Sequence, residues 1–185
     1  DRVIWASCMV ACGDADGAVT GNTRRFGASL DKIKQVVEAR SGEIMFGLNL
    51  VVHKGKTIFV GDTSVHEYPT SEQMAEIAIS AARVVRLFGF DPKVAFVSHS
   101  TFGQPLTSRT KHIKSAVEIL KQKKVNFEFD GDMQPDVALD KEYQNLYPFS
   151  KIVGNANILI MPGQHSAAIS YKMMKTLGDT KVIGP

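Results

Sequence analysis

Val94-Ala95-Phe96-Val97-Ser98-His99-Ser100-Thr101-Phe102-Gly103, residues 94–103, is an unbroken apolar run that passes straight into small polar residues and a glycine. An apolar run without polar alternation describes a strand buried on both faces, as parallel sheets use. The sequence downstream repeats the idea. Residues 111–123 carry Ile113, Val117 and Leu120 at helical spacing, Phe127-Glu128-Phe129 reads as a strand, and 135–143 reads as helix. Ile158-Leu159-Ile160-Met161 is a further strand, 166–177 a helix, and Val182-Ile183 a last short strand. Such alternation implies right-handed crossovers and therefore a three-layer α/β/α fold with a mostly parallel sheet.

Working upstream, 71–88 is the clearest helix. Thr70 and Gln73 form a capping-box pair after Pro69, Met74, Ile77, Ala78, Ala81, Val85 and Phe88 follow helical spacing, and Gly89 stops it. Before it, 44–52 and 57–61 are β-rich and joined around Lys54-Gly55-Lys56, a hairpin pattern. The first part reads as a helix over 4–11 ended by Gly13, a short strand over 18–21, and a helix over 28–39 with Gly42 beyond it.

Hydrophobic residues make up 44% and charged residues 22% of the chain, a globular balance that argues against disorder. A net charge of +3 is mild, and Lys121-Gln122-Lys123-Lys124 reads as a solvated helix end; no nucleic-acid footprint is expected. Cys8 and Cys12 are the two cysteines, four apart in a helical stretch with no completing ligands, so buried free thiols in a reducing compartment are expected. No run approaches the roughly 20 apolar residues a membrane span needs, and no basic-then-apolar signal region opens the chain. The chain begins at Asp1 without a methionine, so its ends are expected to be imposed by processing or cloning.

In open α/β sheets ligands bind outside the carboxyl ends of the strands. Four loops fall at such positions: Asp62-Thr63-Ser64, the 98–103 loop, Asp130-Gly131-Asp132-Met133-Gln134, and Pro162-Gly163-Gln164-His165. Hydroxyls and backbone amides of the 98–103 loop suit a phosphate or carbonyl oxygen; read one loop at a time, the same residues are ordinary turn chemistry. No strand-borne GxGxxG and no Walker-type loop occurs, and Asp14, Asp16 and Gly17 make only part of a calcium loop. His99 alternates with Ser98 and Ser100, so it does not serve either as base. His53 and His66 flank strands as surface or packing residues. Asp130 and Asp132 suit an acid–base pair or, better, the cap of the next helix. Chemistry alone stops at an α/β domain with a polar cleft.

An ordered set of motifs goes further. Residues 13–21, Gly-Asp-Ala-Asp-Gly-Ala-Val-Thr-Gly, resemble the "G-x-A-D-G-x-V-[ST]-G" segment of phosphate acetyltransferases. Val60-Gly61-Asp62 followed by residues 69–78, Pro-Thr-Ser-Glu-Gln-Met-Ala-Glu-Ile-Ala, resembles that family's strand and helix. Pro92-Lys93-Val94-Ala95, Ser98-His99-Ser100, residues 129–133, residues 154–159 and Ile183-Gly184-Pro185 follow in family order. The resemblance spans essentially the whole chain. Thr23-Arg24, residues 98–103, Asp130-Gly131-Asp132-Met133 and residues 155–162 are most similar to the branch formed by the C-terminal phosphotransacetylase-like domain of bacterial NADP-dependent malic enzymes.

The resemblance implies the phosphotransacetylase fold, related to isocitrate and isopropylmalate dehydrogenases, in incomplete form. Residues 1–42 would be the tail of a first subdomain and 43–185 a second lacking its closing segment, with an exposed apolar patch where the absent part docks. It implies an acetyl-CoA and phosphate cleft built from Thr23, Arg24, Asp62, Thr63, Ser98, Ser100, Thr101, Asp130, Gly131 and Pro162, with no catalytic residue and no metal ligand in this chain. The family's cleft cysteine maps to Thr63, and an arginine ten residues past Gly21 would fall at Asp31, reversing the charge there. The implied function is an acetyl-CoA-sensing regulatory and oligomerisation domain of a malic enzyme. The alternatives are a catalytic phosphate acetyltransferase whose catalytic segment lies outside the chain, and a purely structural dimerisation module. The expected partners are acetyl-CoA (weak or absent for this part alone), the remainder of the parent chain and a second copy, with no nucleic acid and no membrane. The parent would be cytoplasmic, with NADP and Mg or Mn bound by its N-terminal part.

Overall fold

The computed structural model describes residues 1–21 and 23–185, which form two compact units, 1–43 and 44–185. The first holds helix α1 (Arg2–Cys12) and helix α2 (Phe26–Lys34). Asp1 caps α1 by accepting from Val3 N at 2.9 Å, and Gly13, at φ 82, closes it in the left-handed region that glycine occupies without a Cβ penalty. The Asp1 carboxylate also pairs with Lys32 and with Arg24 at 2.8 Å.

Three expectations for this unit are corrected. Residues 18–21 form no strand: no partner strand lies among the described residues of the unit, and Val19 is fully exposed. The second helix begins two residues earlier than 28 and stops at Lys34, where Val36 N and Val37 N turn back onto Ile33 O at 3.0 and 2.8 Å. Two adjacent β-branched residues favour that early exit. The thiols are free but not buried: Cys8 is half-buried and Cys12 exposed, because the buried face of α1 runs through Val3 and Ser7.

The second unit carries a six-stranded sheet. Strands β1 (Leu48–His53) and β2 (Lys56–Gly61) pair antiparallel from Leu48↔Gly61 to His53↔Lys56. Lys54 and Gly55, at φ 47 and φ 78, make the two-residue turn that right-handed strand twist favours. Helix α3 (Ser71–Leu87) follows, with the Thr70–Gln73 capping box in place on both sides. Next come β3 (Lys93–Val97), α4 (Ser108–Lys123), β4 (Glu128–Met133), α5 (Pro135–Leu139), α6 (Lys141–Gln144), β5 (Ile158–Ile160), α7 (Gln164–Leu177) and β6 (Thr180–Ile183).

Spatial order is β4-β3-β5-β2-β1-β6, with β4, β3, β5 and β2 mutually parallel and β1 antiparallel to both of its neighbours. Period-2 alternation sends Val94 and Phe96 to one face of β3 and Ala95 and Val97 to the other. The first pair joins Phe59, Ile158 and Ile160 beneath Met74, Ile77 and Val85 of α3 and Ile113 and Leu120 of α4. The second joins Val51, Val60, Leu159 and Met161 against Val137 of α5 and Ala167 of α7. Both faces are covered, which is why the strands read as continuous apolar runs. The sequence-based α/β/α expectation is met.

Element edges differ where side chains redirect the backbone. β1 starts at Leu48 rather than 44, and α4 starts at Ser108 rather than 111, capped by Thr107 with Thr110 in the reciprocal position. β4 continues through Asp130, Gly131 and Asp132, which the sequence suggested as loop. Residues 135–143 split into α5 and α6 because Asp140, at φ −124 and ψ 122, leaves the helix and caps the next one through Glu142 N at 2.9 Å. α7 presents Ile169, Met173 and Leu177 to solvent at four-residue spacing, and Ile183 is exposed on edge strand β6. Among the described residues no helix is long and apolar enough to cross a membrane.

Candidate functional site

Because β2, β3, β4 and β5 are parallel neighbours, the segments leaving their carboxyl ends emerge on one edge of the sheet. A groove of about 430 Å³ opens there. Val97, Ile113, Pro135, Met161 and Pro162 supply its apolar walls. Ser98, His99, Arg109, His165, Ser166 and Tyr68 supply its polar groups. The N-termini of α4 and α7 lie at this edge, since Arg109 and His165 belong to their first turns. Oriented N–H groups at helix starts make such an edge favourable for an anion.

Around the groove, the polar residues are largely committed to one another. Ser98 Oγ lies 3.1 Å from Ser100 Oγ, and Ser100 in turn donates to the buried Asp132 carboxylate. Asp132 also accepts from Gly103 N at 3.0 Å, so it ties the 98–103 loop to the end of β4. With the Ser100 proton given to Asp132, the Ser98 proton is the one available for the contact between the hydroxyls, and a lone pair of Ser98 Oγ is left over. Thr101 Oγ1 accepts from Gln134 N at 3.3 Å, and His99 is exposed with its carbonyl accepting from Gln134 Nε2 at 2.9 Å. As alternation required, His99 makes no bond to either serine among the described residues.

Asp62 is more fully engaged. Its Oδ1 accepts from Gly47 N at 2.8 Å, Ser64 N at 2.8 Å and Val65 N at 3.1 Å. Its Oδ2 accepts from His66 N at 2.8 Å and lies 2.6 Å from His66 Nδ1. Burial in itself raises a carboxyl, but the bonds from the His66 ring and from the Ser64, Gly47 and Val65 amides outweigh it and hold Asp62 below the ordinary value of 3.8. Thr63 is buried beside it, with Oγ1 3.4 Å from Ser64 Oγ.

Asp130 and Asp132 do not cap α5, contrary to expectation. The N-cap is Gln134, without a side-chain bond, and Asp130 instead accepts from Gly131 N at 3.0 Å and Lys151 N at 2.8 Å. Gly131, at φ 150, lies so close to β3 that a Cβ there would be 2.8 Å from Phe96 O. Of the ten residues named from sequence, Ser98 and Pro162 line the groove, and Ser100 reaches it through Ser98. Asp62, Thr63, Thr101, Asp130 and Gly131 build the surrounding loops and the end of β4. Thr23 and Arg24 belong to the first unit, as does the exposed Asp31. Among the described residues no cluster of three or more His, Cys, Asp or Glu is placed to hold a metal.

Sequence reasoning missed Arg109 and Tyr68, and had His165 only as the end of the 162–165 loop. The guanidinium of Arg109 sits 4.8 Å from the centroid of the Tyr68 ring, and that ring stacks with His165 at 6.4 Å. His165 Nε2 is 3.1 Å from Glu67 Oε1. The signal was present: Thr107 and Thr110 are a capping pair, and reading them as such would have placed Arg109 in the first turn of α4 at the strand edge.

The phosphate acetyl/butaryl transferase family profile matches residues 1–185. The chain belongs to this family. It is 44% identical over 185 residues to an NADP-dependent malic enzyme of Rhizobium meliloti (strain 1021), covering 100% of the chain and 24% of that protein. It is 33% identical over 195 residues to a phosphate acetyltransferase of Clostridium acetobutylicum, again covering 100% of the chain and 58% of that protein. A phosphotransacetylase from Streptococcus pyogenes superimposes with a TM-score of 0.92 at 28% identity, covering 100% of this chain and 57% of that one. The chain thus spans about a quarter of that malic enzyme and a little over half of the Clostridium acetobutylicum and Streptococcus pyogenes proteins. The fold and family implied by the motifs are those observed.

Proposed function

We propose that this chain is an acetyl-CoA-responsive regulatory and oligomerisation domain of an NADP-dependent malic enzyme. The observation that carries the reading is how the groove's polar groups are committed. The buried Asp62 and Asp132 carboxylates hold loop amides, an imidazole and a hydroxyl, and among the described residues no serine in the groove is bonded to an imidazole. A pocket with an apolar wall and a guanidinium, but without an assembled nucleophile and base, suits binding better than group transfer. Regulation needs only unequal affinity for two states of the parent. The identity to malic enzymes supports the parent's nature, with NADP and Mg or Mn held in its other part and the parent in the cytoplasm. The exposed stripe Ile169, Met173 and Leu177 supports the oligomerisation half of the reading.

The second reading is a catalytic phosphate acetyltransferase that draws its reacting groups from beyond this chain, and the likeness to the Clostridium acetobutylicum enzyme favours it. One pair of assays on the full-length protein separates them. The regulatory reading predicts that acetyl-CoA changes the rate of malate-dependent NADP reduction at least several-fold, while acetyl phosphate and CoA yield no acetyl-CoA above background. Acetyl transfer at about 1–1,000 turnovers per second, the range of ordinary enzymes, would establish the second reading instead.

A further inference from the structure

We propose that Arg109 is the anion-binding residue of the groove, taking a phosphoryl group of the ligand beside the apolar wall of Val97, Met161 and Pro162; this rests on the ligand-binding reading above. Arg109 lines the 430 Å³ groove and is exposed. Among the described residues its guanidinium has the Tyr68 ring as a neighbour at 4.8 Å and no carboxylate partner. The ring faces the cation without consuming its in-plane donors, so Arg109 is oriented and its fork of N–H groups stays available.

Its setting favours an anion. Arg109 sits in the first turn of α4, where the helix dipole is positive and no acidic residue is present. The first turn of α7, which lines the groove at His165 and Ser166, has no acidic residue of its own and no side-chain cap; Glu67 of the β2 exit loop lies 3.1 Å from His165 Nε2. α3 and α4 both carry a complete capping box, but only α3 has an acidic residue, Glu72, in its first turn. The lining also includes the buried Ser98, whose Oγ gives its proton to Ser100 Oγ, accepts a long 3.4 Å contact from Ser100 N and keeps a second lone pair. A ligand with a phosphoryl oxygen at the Arg109 side and a hydrogen-bond donor at the Ser98 side completes both.

Two ligands carry that chemistry: a free phosphate, and the phosphoryl groups of coenzyme A. Calorimetric titration of the full-length protein with inorganic phosphate and, separately, with acetyl-CoA distinguishes them, using the unsubstituted protein, Arg109→Lys and Arg109→Gln. Arg109→Gln is expected to weaken the phosphoryl ligand roughly 10- to 100-fold, and Arg109→Lys, which keeps the charge but not the fork, by less. Loss of phosphate affinity alone assigns the site to free phosphate. Loss of acetyl-CoA affinity, with or without phosphate, assigns it to the coenzyme. Unchanged affinity for both ligands in Arg109→Gln overturns the inference and leaves the binding reading standing. No heat with either ligand in the unsubstituted protein overturns both.

Discussion

Asp62→Ala is expected to lower the stability of this domain by about 3 kcal/mol, because it strands one buried and several half-buried donors at once. The carboxylate accepts the amides of Gly47, Ser64, Val65 and His66 and faces the His66 ring. Each bond fixes part of the 62–66 segment, which carries the chain from the end of β2 toward Tyr68 and the groove. For a domain of this size the loss corresponds to a fall of roughly 6–12 °C in the melting transition assigned to the region. The effect has a pH signature. The folded carboxyl lies below the ordinary value of 3.8, so the unfolded chain takes up the proton first on acidification. The stabilisation is therefore complete above that ordinary value and drains away as pH falls through the lower folded-state value. Asp62→Ala should lose this acid-side slope; a variant that keeps it would show that other carboxylates set it.

Gly163→Ala is expected to cost about 3 kcal/mol, the upper end of overpacking effects, and to weaken ligand binding at the same time. A Cβ at Gly163 would lie 2.3 Å from the Glu67 carbonyl oxygen, a rigid backbone atom, and 3.8 Å from Pro69. Gly163 caps α7, and the next residue bonds the same strand-exit loop through Gln164 N to His66 O at 3.1 Å. The loop must move away, and it carries Tyr68, the ring that holds Arg109. Thermal melting together with acetyl-CoA titration checks both halves. A variant with normal melting and normal affinity would mean that the loop has a second position of equal energy.

Much of the fold was legible because its sheet is buried on both sides. Runs such as 94–97 and 158–161 have no polar interruption, and the Thr70–Gln73 cap announces α3. The parts that were not legible depend on partners distant in sequence. Residues 18–21 have strand composition, yet a strand needs a neighbour, and none lies among the described residues of that unit. Asp130-Gly131-Asp132 looks like a turn, but Gly131 packs against Phe96 and stays within β4. The carboxyl-edge rule located the loops. It gave no account of which side chains they spend on themselves. Asp62 is held by amides up to 15 residues away, and Ser100 by an aspartate 32 residues on, pairings that composition does not carry. Arg109 escaped notice because its helix begins at Ser108, five residues before the first periodic apolar residue, Ile113.

The claim on which the rest turns is that the ligand settles in the groove at the carboxyl edge of β3 and β5. Amide hydrogen exchange on the full-length protein, with and without saturating acetyl-CoA, tests it most directly. Slowed exchange is expected at 97–103, 108–113 and 161–166, the segments that line the groove. If acetyl-CoA binds with measurable heat and those three segments exchange at unchanged rates while others slow, the site lies elsewhere and the account is wrong.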